Sequence, residues 1–167
     1  SKRMDKQFGY KAWANAEMFE ALATIDPQQH PAQWKRAVRL MNHAYVVDRI
    51  FAAHLQGTAH DYQATNTPDT PTLEALREDV AASDAWYRQY VATLEAGALH
   101  APVSFSFTDG EAGTMTRAEI LFHVLAHGAY HRGNVGMVLV ECGCDRPSDT
   151  FTRYLHASEP GRRQGIV

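Results

Sequence analysis

The sequence predicts an all-α protein: a four-helix bundle with a minor β-hairpin or extended excursion before the last long helix. Three observations lead there. Four segments of about 20–25 residues carry apolar side chains at helical spacing. One short stretch, residues 101–115, alternates apolar and polar residues in the manner of a strand. The chain has 167 residues, enough for one domain with a proper core, and is read as a single unit over 1–167.

The first helical segment covers about 3–25. Phe8, Trp13, Ala16, Phe19 and Leu22 share one side, and Pro27 stands beyond the end. The second covers about 32–56, opened after Pro31 and closed by Gly57. It has two apolar stripes, one through Trp34, Val38, Met41 and Tyr45, the other through Leu40, Val47, Ile50, Phe51 and His54. Two stripes require neighbours on two sides. The polar run "GTAHDYQATNTPDTP" is a loop, and Pro71 is the expected first residue of a third helix over about 71–96. Leu73, Leu76, Val80, Tyr87, Tyr90, Val91 and Leu94 keep its spacing, and Gly97 ends it. "VSFSF", the turn signal "TDG" and "TM" make the hairpin. Thr116 and Glu119 then form a capping-box pair that opens a fourth helix over 117–141, stopped at Gly143. A short closing helix is expected around 149–156, with the tail "EPGRRQGIV" frayed. The connections 57–70 and 97–116 are long enough to cross the bundle, so a simple up-down order is not required.

Composition narrows the function. Net charge is −3 and no basic stripe is present, which argues against a nucleic-acid partner. No apolar run approaches the roughly 20 residues needed to span a bilayer, so no membrane role is expected. The start, "SKRMDKQFGYKAW", has no apolar core of a secretory signal. Cys142 and Cys144 stand one residue apart and cannot staple a fold, which fits a reducing cytoplasm.

The chemistry concentrates in "HVLAHGAYHRGNV", residues 123–135, where His123, His127 and His131 recur every fourth residue. On a helix, Ile120, Val124, His127, His131, Val135 and Val138 share an apolar face with His123 at its edge. Residues four apart have Cβ atoms roughly 5–6 Å apart, so two such rings can reach one ion. Three cannot, because His123 and His131 are separated by about 12 Å along the axis. A third ligand must come from another helix. His43 lies on an apolar stripe near the middle of helix two, and His127 and His131 bracket the middle of helix four. Middles meet in a bundle whichever way the helices run. The expected site is His43, His127 and His131 on one divalent metal, with an open position for water or substrate. His123 is then supporting or a satisfied core histidine. "HGAYH" lacks the glutamate that a zinc protease carries between its histidines, which disfavours proteolysis.

"LFHVLAHGAYHRGNVGMVL" resembles the helix-four signature of the DinB/YfiT-like family, close to H-x3-H-x3-H-R-G-Q, with Asn134 in place of the usual glutamine. "LMNHAYVVDRIFAAHLQG", "DRPSDTFTRYL" and "YKAWANAEMFEAL" are similar to that family's second helix, C-terminal segment and first helix. The resemblance implies a four-helix bundle, often a homodimer, with nickel or zinc on three histidines that fall on His43, His127 and His131. It further implies a metal-dependent thiol S-transferase or isomerase acting with a low-molecular-weight thiol on a small-molecule substrate. A metal-dependent hydrolase and a non-enzymatic, stress-induced metal-binding protein are the alternatives.

The remaining residues carry structural expectations. Asp48 is on the wrong side of its helix for ligation and is expected to pair with arginine, at Arg132 or around Arg49. Arg132 points away from the metal, toward an ion pair or a dimer contact. Gly128, Gly133 and Gly136 lie mid-helix, where each costs about 1 kcal/mol relative to alanine, so close approach of a neighbour is expected. Trp13, Trp34, Trp86, Tyr45 and Tyr87 read as core. His30, His54, His60, His100 and His156 read as surface or loop residues, with His54 on the apolar stripe.

Overall fold

A computed structural model describes residues 4–167. The first helix, α1, is Asp5–Leu22. Its buried side runs through Phe8, Lys11, Ala14, Asn15, Met18, Phe19 and Leu22. That corrects the expected stripe: Ala16 is exposed and Trp13 is half-buried beside Tyr154, while Lys11 and Asn15 take the inner positions. Helix α2 is Pro31–Gln56 and stops where Gly57 turns left-handed at φ +67°. Helix α3 is Leu73–Thr93. Its start is two residues after the one expected at Pro71, and the Thr72 hydroxyl caps it by accepting the Ala75 N–H at 3.1 Å. It ends before Gly97, and Ala96–His100 forms a 3-10 turn.

The hairpin pairs β1 (Pro102–Ser106) antiparallel with β2 (Ala112–Thr116), with Phe105 opposite Gly113. Helix α4, Arg117–Glu141, begins with the complete capping box: the Thr116 hydroxyl accepts from Glu119 N–H and the Glu119 carboxylate accepts from Thr116 N–H. Helix α5 is Phe151–Ser158, and a 3-10 turn over Pro160–Gln164 follows it within the tail.

Helix α1 packs on α3 and α4, and α2 packs on α4 and α3. Helices adjacent in sequence are therefore not the main packing partners, so the connections cross over. His43 meets His131 while Phe51 meets His123, so α2 and α4 run antiparallel. The core divides into two apolar clusters. One gathers Met18, Leu22, Val38, Met41, Val80 and Val135, the other Phe8, Phe51, Tyr87, Val91, Ile120 and Val124. Between them every long helix contributes a buried polar residue: Lys11 and Asn15 from α1, Asp48 from α2, Asp84 from α3 and Arg132 from α4. No described helix is long and apolar enough to cross a membrane.

Candidate metal centre

The capping box fixes where α4 starts and hence the phase of its three histidines. The most buried line of the helix runs through Leu121, Val124, Gly128, Arg132, Val135 and Leu139. His123, His127 and His131 sit half-buried on the flank of that line, facing α2. His43 faces them from α2. Ring centroids are 4.9 Å apart for His43 and His127, 4.7 Å for His43 and His131, and 4.5 Å for His127 and His131. One ring nitrogen from each lies within 4.8 Å of the others. Among the described residues this is the group of histidine, cysteine or carboxylate side chains that could hold an ion.

The hydrogen bonds prepare the nitrogens for that role. His43 Nδ1–H donates to the Thr65 carbonyl at 2.6 Å. A carbonyl only accepts, so the proton of the neutral ring is on Nδ1 and Nε2 keeps its lone pair. His43 Nε2 stands 3.1 Å from His127 Nε2. Two nitrogens on one tetrahedral zinc, each at about 2.0–2.1 Å, are roughly 3.3–3.4 Å apart. The rings already stand near that spacing, turned toward one another. The Nδ1 atoms of His127 and His131 are buried and without a hydrogen-bond partner.

Electrostatics disfavour protons here. Burial first, then the neighbouring His131, His43 and His123 rings and the Lys11 ammonium, push the His127 imidazole down to about 3. Burial and His43 lower His131 as well. Neutral imidazoles facing one another repel through their lone pairs unless a proton or a cation lies between them, and the surroundings resist the proton. A divalent ion suits three converging imidazole nitrogen donors, so the residues present fit a metal.

His123 is not in the group. Its ring lies 5.5 Å from His127 and 5.1 Å from Phe51. Asp48 also stays outside, as expected, but its expected arginine partner is corrected. It bonds Lys11 Nζ at 2.7 Å, because Lys11 enters the core at the same level from α1. Lys11 is 1% exposed and also bonds Asp84, which accepts from Asn15 at 2.8 Å. Arg132 does point away from the metal and does form an ion pair, with Asp149 at 2.6 Å, and it donates to Asn15 and the Tyr10 hydroxyl. At 2% exposed it is no dimer contact.

The mid-helix glycines divide. A Cβ on Gly128 would stand 3.2 Å from Arg132 Nη1 and 3.7 Å from Lys11 Cε, so side chains rather than a helix backbone need the space. Arg146 passes Gly136, and nothing lies within 4 Å of a Cβ on Gly133. Of the expected core aromatics, Tyr87 is fully buried, and Trp34, Tyr45 and Trp86 are half-buried against the clusters. Sequence reasoning missed Thr65 and Lys11. A backbone carbonyl leaves no mark in the sequence. Lys11 does leave one, because Phe8, Lys11, Asn15 and Met18 share a face.

The sequence pattern of the DinB family matches residues 1–163. The chain belongs to the DinB family. It is also similar to Protein DinB of Bacillus subtilis (strain 168), with 25% identity over 161 residues, covering 90% of this chain and 92% of that protein. No solved structure matches it. The largely helical fold with its small hairpin agrees with membership of the DinB family, and the three histidines are its candidate metal centre.

Proposed function

We propose that the protein is a metal-dependent thiol S-transferase or isomerase, using nickel or zinc on His43, His127 and His131 and a low-molecular-weight thiol. The observation that carries the reading is a triad of converging imidazoles on a half-buried flank, with no carboxylate among them. Three protein donors leave a position for an outside molecule. A divalent ion there would supply a thiolate at neutral pH by lowering the pKa of a bound thiol from its usual value of about 8.5.

The chain's own residues do the rest. Thr65 holds the His43 ring in the tautomer that presents Nε2. The His127 and His131 rings stay unprotonated near neutral pH. Transfer forms a carbon–sulfur bond as the leaving group departs with its bonding pair, and the thiol proton passes to solvent. Hydrolysis is less well supported because it needs a base, and Asp48 is bound to Lys11.

We extend the proposal to a homodimer. The outer side of α4 exposes Tyr130, Met137 and Val140 around Gly133, whose missing side chain leaves room for a second copy. The reading also places the protein in the reducing cytoplasm, where small thiols stay reduced.

Cobalt-substituted, untagged protein tests the central reading. Added thiol is expected to produce a sulfur-to-cobalt charge-transfer band and to support transfer to an electrophile. An unchanged spectrum with no transfer would overturn it.

A further inference from the structure

We infer that the flank between α2 and α4, from the three histidines to the hairpin, is the subsite for the electrophile and selects a flat, uncharged aryl or conjugated group. The inference rests on the transferase reading and names the substrate class which that reading leaves open.

A continuous strip of rings leaves the triad in one direction. His123 follows His127 at 5.5 Å, and Phe51 follows His123 at 5.1 Å. Phe51 meets both His54, at 5.5 Å, and Phe105, at 5.7 Å. His54 and Phe105 are stacked at 4.5 Å with their planes 20° apart. His60 extends the strip from His54 at 5.6 Å. The strip thus draws on α2, α4, the hairpin and the loop after α2. Apart from Phe51 these rings are half-buried, so each keeps surface open to a ligand. The hairpin is shaped to hold Phe105 in place: a Cβ on Gly113 would come within 3.0 Å of that ring.

Beside His123 the surface dips into a concavity of about 510 Å³ lined by Met115, Ala118, Phe122, His123 and Ala126. That is the size of a small-molecule pocket. Its charged side chain, Glu119, is occupied in the α4 cap. On α2, Arg39 donates to Thr67 and Thr70, and Arg49 donates to Ser83 and lies over the Trp86 ring, so both are engaged away from the strip. The strip's own members, His123, Phe51, His54, Phe105 and His60, include no carboxylate, lysine or arginine to pair with a charged substituent. A flat apolar group would find ring faces and edges that stack with it.

The test uses zinc-loaded full-length protein, no thiol, and two unreactive neutral probes, naphthalene-2-carboxamide and its saturated decalin counterpart. The naphthyl probe is expected to shift the imidazole NMR signals of His54 and His123 and to bind more tightly than the decalin. Phe105→Leu and His54→Leu keep apolar bulk but remove a flat ring, and each is expected to weaken naphthyl binding about 3- to 10-fold. Zinc content should stay unchanged in both. Equal binding of the two probes, unshifted His54 and His123 signals, or undiminished binding by both variants would overturn the inference. Naphthyl binding at this site by a protein that transfers no thiol would support the subsite while overturning the transferase reading, so the two fail separately.

Discussion

His127 is the residue on which metal binding and protonation compete most directly. Its folded-state pKa of about 3 lies below the ordinary value of 6.5, so between those values the unfolded chain binds the extra proton. Its contribution to stability is present above pH about 6.5 and is lost as pH falls toward 3. Chemical denaturation of metal-free protein across that window should show stability falling with pH, with a flatter profile for His127→Ala. Lys11 makes a second residue-scale prediction. Its ammonium balances two buried carboxylates, and Lys11→Met would leave both without it. Breaking a buried pair from one side costs about 3–5 kcal/mol. Urea denaturation should show a loss of that order, partly recovered in the Lys11→Met/Asp48→Asn double variant. The two residues were not equally legible. The four-residue spacing announced His127 because a metal constrains spacing along one helix. The partners of Lys11 come from α2 and α3, and pairing across helices follows from packing that periodicity does not encode.

Among the elements, α4 carries the most opposing demands. One side packs the core, one flank presents imidazoles to α2, and the outer side is exposed. Its glycines separate these demands experimentally. Gly133→Ala meets nothing within the chain and should stabilise the monomer by about 0.5–1 kcal/mol. Gly128→Ala gains the same helix propensity but presses on Arg132, which is held by Asp149, Asn15 and Tyr10. It should be destabilising by about 1 kcal/mol or more. Thermal melts of the two variants at low protein concentration should move in opposite directions. Element boundaries set by side-chain chemistry were readable in advance: Thr116 with Glu119 starts α4, and Gly57 ends α2. The start of α3 was misplaced because Pro71 and Thr72 are both good signals and the Thr72 hydroxyl captures the Ala75 amide.

For the whole molecule, two apolar clusters are separated by a layer to which every long helix contributes a buried polar residue. The histidines lie along the helices at that same level, between Met41 and Val47 on α2 and between Val124 and Val135 on α4. Comparing helix midpoints located this level in the sequence without knowledge of topology. The crossing connections were beyond its reach, because loop length permits them but does not require them. A metal at this level would join α2 to α4, because its three donors come together from both helices in the folded chain. At free metal 1,000-fold above Kd it would add about 4 kcal/mol of stability. Chelation should then lower the melting temperature by about 10 °C.

Metal content and affinity of untagged protein, compared with His127→Ala, test the account most directly. Close to one divalent ion per chain is expected in the parent, with affinity reduced at least about 100-fold in a variant that remains folded. A folded His127→Ala protein that binds the same ion with the same affinity would contradict it.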